Sequence, residues 1–254
     1  IFTTAEYSDP YSESQRELVY VDRIGVDTVI EGHRRLWERM WESDIIIDGD
    51  VQAQKIVRFA LYNLYSSCRE GTRCSIPPMG LSSQGYNGHI FWDTELWMYP
   101  PMLLLNQGIA RAMIDYRTDR LVPARRKASD YGYQGLMFPW ESDSDGQEAT
   151  PVWALTGPME HHVTADVGIA AWNYYLVTKD LHWLRDEGWE LLKGIADFWV
   201  SRAERNDDGS YSINGVVGAD EYAQNVNDNA FTNASASVAL RNAVKAAEIC
   251  GYDA

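Results

Sequence analysis

Seven segments of this chain carry apolar residues at helical spacing, and the loops that join them alternate in length. The 3.6-residue period predicts helices at about 24–42, 51–69, 91–105, 108–129, 164–178, 181–204 and 231–249. The connections after the third and fifth helices are short, whereas those before the third, fifth and seventh are long, at roughly 70–90, 130–163 and 205–230. Helices joined by short loops run antiparallel, so the three long loops are expected on one face. Long structured loops in a compact domain are usually functional.

The antiparallel helical hairpins predict an all-α fold, because no strand–helix–strand pattern is visible. Residues 1–22 lack the helical period and contain Pro10, and we expect them to form an extended lead-in to a helical domain over 23–254. A turn signal at Asp208-Gly209 predicts a small β-excursion near 209–218. Length alone allows one sizeable core.

Charge and hydropathy exclude several classes of partner. The net charge of −15 would repel nucleic acid and anionic membrane surfaces, so neither is expected as a partner. No apolar run approaches the length of a transmembrane helix. A small-molecule carbohydrate suits the 10 Trp and 15 Tyr residues, since such rings form apolar platforms in sugar-binding clefts. Packing within a large helical protein would by itself account for most of these rings.

The start of the chain and its three cysteines bear on processing, location and disulfide formation. The chain begins at Ile1 without a visible signal peptide, so we expect a processed product or a piece of a longer protein. A periplasmic or extracellular location is favoured over a cytoplasmic one. Cys68, Cys74 and Cys250 lack metal-ligand spacing. Cys68 and Cys74 form either a disulfide or free buried thiols.

The first long loop ends in a Trp-carboxylate motif that opens the third predicted helix. Within the segment from Gly88 to Trp97, Asp93 is a candidate to accept hydrogen bonds from two sugar hydroxyls, while Trp92 lines the same pocket. Carboxylates in a first turn also interact favourably with the helix dipole, which is the alternative interpretation of Asp93 and Glu95.

The second long loop carries further candidates. Trp140 beside Glu141 fits sugar binding, whereas Glu148 fits either a sugar contact or a solvated acidic loop. The adjacent His161 and His162 precede the fifth helix without the His-Glu-x-x-His spacing of zinc sites, so no metal is expected. A neutral histidine that donates to a sugar hydroxyl is favoured there, with helix capping as the alternative.

The third long loop holds the best candidate for proton transfer, Glu221 in the pair Asp220-Glu221. Two adjacent ionised carboxylates repel, which raises the pKa of one of them, whereas a nearby helix N-terminus lowers it; the sequence does not decide between the two effects. A general acid that cleaves a glycosidic bond must arrive protonated, so this chemistry needs a raised pKa on Glu221. No Gly-x-Ser-x-Gly elbow, phosphate-binding glycine loop or Cys-His nucleophile is visible.

Five motifs resemble those of glycoside hydrolase family 65 and occur in the family's order. They are GHIFWDTE at 88–95, FPWES at 138–142, HVTAD at 162–166, GADEY at 218–222 and NAFTN at 229–233. The resemblance covers roughly residues 25–250. It implies an (α/α)6 toroid, the glucoamylase-like six-hairpin barrel. Such a barrel has twelve helices, so it is expected to be incomplete in this chain.

The resemblance also implies roles for the motif residues. Glu221 would be the general acid, and Trp92 with Asp93 would hold the glucose whose anomeric carbon is attacked. The further pocket residues would be Trp140, Glu141 and His162. Neither a cofactor nor a metal is implied.

The family contains both hydrolases and disaccharide phosphorylases. The phosphorylases usually have Gly-Pro-Asp-Glu-Tyr-His at the acid, whereas this chain has Ala219 before the Asp and Ala223 after the Tyr. The segment from Gly80 to Ser83 looks closer to the hydrolases. We therefore expect an inverting α-glucoside hydrolase that acts on α-linked glucose disaccharides or glucosides, kojibiose- or trehalose-like. The alternatives are a phosphorylase that releases β-glucose 1-phosphate and a non-catalytic carbohydrate-binding or scaffold fragment.

The resemblance also bears on completeness and assembly. Members of the family commonly carry an N-terminal β-sandwich, and their catalytic base or phosphate loop lies in the C-terminal part of the barrel. Both would fall outside this chain, so we expect it to be completed by segments before and after it. A lone chain is then expected to be inactive or to depend on those segments. A homodimer is one oligomeric state that the resemblance allows.

Overall fold

The structure, a computed structural model, describes residues 2–4 and 7–252. The chain divides into two compact units, Ile1–Ile46 and Ile47–Ala254. The predicted boundary after residue 22 therefore falls inside the first unit. The second unit contains all five sequence motifs.

The first unit consists of two helices, α1 (Pro10–Ile24) and α2 (Val26–Met40). The prediction of an extended lead-in over 1–22 is wrong from Pro10 onwards, and residues 1, 5 and 6 lie outside the described residues. Asp9 caps α1 by accepting a hydrogen bond from Ser12 N at 3.0 Å. Proline is favoured in the first turn of a helix because its missing N–H has no partner to lose there.

The second unit is built from helices joined by loops of unequal length. Its helices are α3 (Val51–Ser67), α4 (Tyr99–Leu105), α5 (Gln107–Thr118), α6 (Leu121–Asp130), α7 (Thr156–Met159), α8 (His162–Thr178), α9 (Leu181–Trp183), α10 (Trp189–Arg202) and α11 (Ala230–Cys250). Two π-helical turns, Thr94–Met98 and Leu184–Gly188, and a 3-10 turn, Gly85–Gly88, add to these. Two short antiparallel strands are β1 (Glu204–Arg205) and β2 (Tyr211–Ser212).

Two predicted elements differ in detail from the observed ones. The predicted helix at 108–129 is divided into α5 and α6, which are separated at Asp119. Pro123 has no N–H to donate to the carbonyl group of Asp119, so a continuous helix would lack that bond. The β-excursion predicted at 209–218 contains β2, and its partner β1 lies before the Asp208-Gly209 turn.

Helix α8 is central to the second unit, where it packs against α4, α5, α10 and α11. Its residues from His162 to Gly168 are all buried. Polar side chains in this stretch must therefore find partners inside the protein. Thr164 Oγ1 accepts a hydrogen bond from Phe138 N at 2.9 Å, which ties the FPWES segment to α8. Among the described residues no helix combines the length and the apolar character needed to span a bilayer.

The three cysteines are free thiols. Cys68 is buried, and its Sγ lies 3.4 Å from the carbonyl oxygen of Cys74. Of the two alternatives for Cys68 and Cys74, the structure therefore has free thiols, although Cys74 is exposed rather than buried.

Candidate active site

The three long loops meet, as the alternation of loop lengths predicted. Ile90 and Ser142 exchange two backbone hydrogen bonds of 2.9 Å, which join the first long loop to the second. Val217 N donates to the carbonyl oxygen of Met159 at 3.0 Å, which joins the third long loop to the end of the second. These backbone bonds set the relative positions of the GHIFWDTE, FPWES and GADEY motifs.

Aromatic rings from four segments line the junction of the loops. The ring of Trp92 lies 5.0 Å from that of His162 in an edge-to-face arrangement and 6.2 Å from that of Phe231 at the start of α11. Trp140 meets Phe91 edge-to-face with ring centroids 4.9 Å apart. Trp92 and Trp140 are both partly exposed, so each keeps some of its surface available to a ligand.

Glu221 also lies at this junction, where it interacts with Trp92, Trp140 and Asp93, and it is partly exposed. Burial raises its pKa, and the charge of Asp93 raises it further. The indole groups of Trp140 and Trp92 and the charge of His162 lower the pKa and so oppose the rise. Trp140 Nε1 is buried and makes no hydrogen bond within the described residues. The net effect is a raised pKa, the direction that a proton donor requires.

Glu141 lies next to Trp140 and is buried. Its Oε1 is 2.7 Å from Nδ1 of His89, a contact that orients the carboxyl group. Glu148 accepts backbone hydrogen bonds from Trp140 at 3.0 Å and Glu141 at 3.1 Å and pairs with Lys127. It therefore holds the Trp-Glu pair in place, which corrects both interpretations of Glu148 offered above.

His162 occupies a different position from the one predicted. Its ring is completely buried, with Nδ1 2.7 Å from Asp166 Oδ2 and Nε2 2.9 Å from Glu160 Oε1. Burial opposes a charged ring, but the two carboxyl groups outweigh it and raise the pKa of His162 to about 9. The ring has no exposed surface and a carboxyl group of the protein faces each nitrogen, so the expected neutral donor to a sugar hydroxyl is not what the structure contains. The His162 ring instead packs against Trp92.

His161 has a structural role that differs from that of its neighbour. Its Nε2 donates to the carbonyl oxygen of Pro158 at 2.8 Å, and its Nδ1 accepts from Arg202 Nε at 3.0 Å. Burial lowers the pKa of His161 to about 3, so the ring is neutral. No group of three or more His, Cys, Asp and Glu side chains within the described ranges is arranged to hold a metal ion.

Three charged residues, Glu95, Arg117 and Glu160, are buried in surroundings that the sequence did not predict. Glu95 lies in the first turn of the Thr94–Met98 segment, and its buried carboxyl group also accepts two hydrogen bonds, of 2.7 and 3.0 Å, from buried Arg117. Glu160 is buried beside His162, with its Oε1 2.9 Å from Nε2 of that ring. The contact between His162 and Asp166, by contrast, had a local signal. Their spacing of four residues places both on one helix face and predicts a side-chain pair. The burial of Glu160 has no local sequence signal.

The described geometry defines a class of protein: helical hairpins that bring tryptophans and a protonatable carboxyl group together are typical of carbohydrate-active helical barrels. The model of the glycosyl hydrolase family 65 central catalytic domain matches residues 58–253, and the chain belongs to this family.

Relatives agree with this assignment. The chain is 53% identical to a kojibiose hydrolase from Flavobacterium johnsoniae over 99% of its own length and 37% of that protein. It is 37% identical to a kojibiose phosphorylase from Thermoanaerobacter brockii, over 87% of the chain and 30% of that protein. A solved structure, a putative kojibiose phosphorylase from human microbiome, superposes with a TM-score of 0.86 at 25% identity and covers 97% of this chain and 34% of that one. The prediction of an all-α chain that forms part of an (α/α)6 barrel is confirmed. The chain spans about a third of the length of these relatives.

Proposed function

We propose that this chain belongs to an inverting α-glucoside hydrolase in which Glu221 is the general acid. The observation that carries the proposal is the location of Glu221, whose carboxyl group interacts with Trp92, Trp140 and Asp93. Its pKa is raised, so a larger fraction of the molecules carries the proton that the reaction consumes.

The proposed reaction breaks the bond between the anomeric carbon and the glycosidic oxygen. Glu221 donates its proton to that oxygen, and the leaving sugar departs as an alcohol. A water molecule, deprotonated by a second carboxylate, attacks the opposite face of the glucose ring and inverts its configuration. In inverting enzymes the two carboxyl groups are roughly 6.5–9.5 Å apart, which leaves room for this water.

Kojibiose is the disaccharide that the relatives favour as substrate. Two kojibiose hydrolases, from Flavobacterium johnsoniae and Mucilaginibacter mallensis, are 53% and 48% identical to this chain. The kojibiose phosphorylase from Thermoanaerobacter brockii is 37% identical, which keeps phosphorolysis as the second candidate. Trehalose-like glucosides remain the further substrates to compare.

The products distinguish the two reactions. We expect the protein, expressed at the full length that its gene encodes, to release free glucose from kojibiose at the same rate with and without inorganic phosphate. After the incubation, chromatography measures the glucose that is released. In parallel, 31P NMR detects any glucose 1-phosphate. Formation of β-glucose 1-phosphate that depends on added phosphate would replace the hydrolase with a phosphorylase.

Asp93→Ala tests the glucose-holding role. Hydrogen bonds to a charged group contribute about 1.5–3 kcal/mol each, so the loss of two should lower glucose affinity by about 100-fold or more, and kcat should fall as well. Calorimetric titration with glucose and steady-state kinetics measure the two effects separately. Asp93→Asn, which keeps the shape of the side chain, should lose less affinity. Glucose binding of wild-type strength in Asp93→Ala would remove Asp93 from the pocket.

A further inference from the structure

We propose that His89 is a positioning residue for sugar binding, which holds the carboxyl group of Glu141 in the orientation that a glucose hydroxyl requires. One oxygen of Glu141 is then fixed by the protein, and the other accepts a hydrogen bond from the sugar. The inference rests on the proposed function, since it takes Glu141 as one of the groups around the bound glucose.

The first argument is the contact between the two side chains, which are 52 positions apart in the chain. Nδ1 of His89 lies 2.7 Å from Oε1 of Glu141. The Glu141 side chain is 8% exposed and that of His89 is 22% exposed, so little water competes for the bond. A carboxylate only accepts hydrogen bonds, so Nδ1 carries the proton and donates. Hydrogen bonds with a charged partner are among the strong ones, and this bond can therefore fix the carboxyl group.

The second argument is that the backbone of Glu141 is already fixed. Its N–H donates to Oε1 of Glu148 at 3.1 Å, and its carbonyl oxygen accepts from the N–H of Ala149 at 2.8 Å. The next residue, Ser142, is joined to Ile90 by two backbone hydrogen bonds of 2.9 Å. The rotation of the Glu141 side chain is the freedom that remains, and the bond from His89 removes it.

The backbone that carries His89 is fixed as well. Its N–H donates to the carbonyl oxygen of Tyr86 at 2.9 Å, across a turn in which Gly88 has a φ of 75°. This left-handed conformation favours glycine. Ile90, which follows His89, is the residue bridged to Ser142. The ring thus approaches the carboxyl group from a rigid base, which positioning of a binding group requires.

The third argument concerns the second oxygen of Glu141. No group within residues 2–4 and 7–252 donates a hydrogen bond to Oε2, and that atom keeps contact with solvent. Trp140, the preceding residue, packs on Phe91 with ring centroids 4.9 Å apart, and Phe91 adjoins Trp92 in the chain. An oxygen without a protein partner therefore lies in the segment that meets the first long loop at the proposed sugar site.

The two nitrogens of His89 differ, and the difference allows a sharp test. Across the part of the chain that the structure describes, Nε2 makes no hydrogen bond, and the ring lines a pocket of about 410 Å³ together with Arg120 and Ser142. Glu141 therefore needs a donor at the position of Nδ1 and none at the position of Nε2. An asparagine side chain places its amide nitrogen near the position of Nδ1, whereas a glutamine side chain reaches that of Nε2.

The test is the glucose affinity of His89→Gln and His89→Asn, measured by calorimetric titration of the protein expressed at the length that its gene encodes. His89→Gln should lose about 10-fold or more, the equivalent of one hydrogen bond to a charged group. His89→Asn should retain most of the affinity, because its amide can still donate to Glu141. Equal losses in the two variants, or wild-type affinity in His89→Gln, would overturn the inference.

Glu141→Gln shows whether His89 acts through that carboxyl group. The single change should also weaken glucose binding, and His89→Gln added to it should cost little more, since two residues that act through one contact are not additive. Losses that multiply would give the two side chains independent roles and contradict the inference. Wild-type affinity in Glu141→Gln would contradict it too.

Deoxyglucoses that each lack one hydroxyl provide a readout that a merely structural role would not move. We expect the wild type to bind one of them more weakly than glucose because of Glu141, and Glu141→Gln to lose that difference. His89→Gln should lose it as well, and His89→Asn should keep it. An unchanged difference in His89→Gln would show that His89 only supports the fold.

A further measurement needs no folded variant. The 15N shifts of a histidine ring report which nitrogen carries the proton, and Nδ1 of wild-type His89 should carry one. An unprotonated Nδ1 cannot donate to Glu141, so this result would overturn the inference even if every variant unfolds.

The outcomes separate this inference from the proposed function. Glucose binding that is unchanged in His89→Gln, together with an inactive Glu221→Gln, would overturn the role of His89 alone. An active Glu221→Gln would overturn the proposed acid, and the titrations with glucose would still decide whether His89 positions Glu141.

Discussion

Glu221→Gln should reduce kcat for kojibiose by about 10²- to 10⁴-fold, the usual contribution of a positioned general acid. The amide has the shape of the carboxyl group but carries no transferable proton. Glucose binding should change little, because the proposed glucose contacts come from Trp92 and Asp93. Steady-state kinetics and calorimetric titration with glucose give the two quantities.

The pH profile adds a second signature to this prediction. The raised pKa of Glu221 means that activity is present while the group is protonated and is lost as pH rises through that pKa. The residual activity of Glu221→Gln should lack this alkaline limb. Asp220→Asn is a useful comparison, since Asp220 is exposed and adjacent, and it should lose far less activity. Wild-type turnover in Glu221→Gln would remove Glu221 from the acid role.

Arg117→Met should destabilise the protein by about 3–5 kcal/mol, because it leaves a buried carboxylate without its partner. Arg117 and Glu95 are both almost completely buried, and two hydrogen bonds of 2.7 and 3.0 Å connect them. Glu95 stands two positions after Asp93, so the loss should also disturb the proposed glucose site. Urea unfolding followed by circular dichroism measures the change in the free energy of unfolding.

Two further variants show whether the effect comes from the unpaired charge. Removing both partners, as in Glu95→Leu combined with Arg117→Met, should recover much of the stability, since a buried pair can often be replaced by apolar residues at small cost. Arg126→Met breaks an exposed pair with Asp130, at 3.9 Å, and should change stability little. A double variant as unstable as Arg117→Met would show that the shape of the side chains, rather than the lone charge, matters.

Several site residues could be predicted from the sequence because their signals are local. Trp92, Asp93, Trp140 and Glu221 stand in compact motifs, and each motif lies in a long loop between periodic helices. Once short connections make the helices antiparallel, the long loops must meet at one end. The structure brings these residues together, and their catalytic and binding roles stay predictions for the experiments above.

Pro10 and His162 show where local signals were insufficient. A proline fits an extended segment and the first turn of a helix equally well, and the cap from Asp9 to Ser12 decides for the helix. His162 looks like a sugar donor in sequence because nothing nearby reports its burial. Only the packing of α8 against four other helices places it between two carboxyl groups.

The sequence by itself therefore determined the helical architecture and the motifs of the candidate site, because apolar period and turn chemistry act over a few residues. The tertiary structure alone decided which side chains lie in low-dielectric surroundings: Glu160, His162 and the Glu95-Arg117 pair. Burial depends on segments that are distant in the chain, and burial is what sets the charge of such groups. The raised pKa that the proposed proton transfer by Glu221 requires is therefore a property of the folded protein, since burial is its main cause.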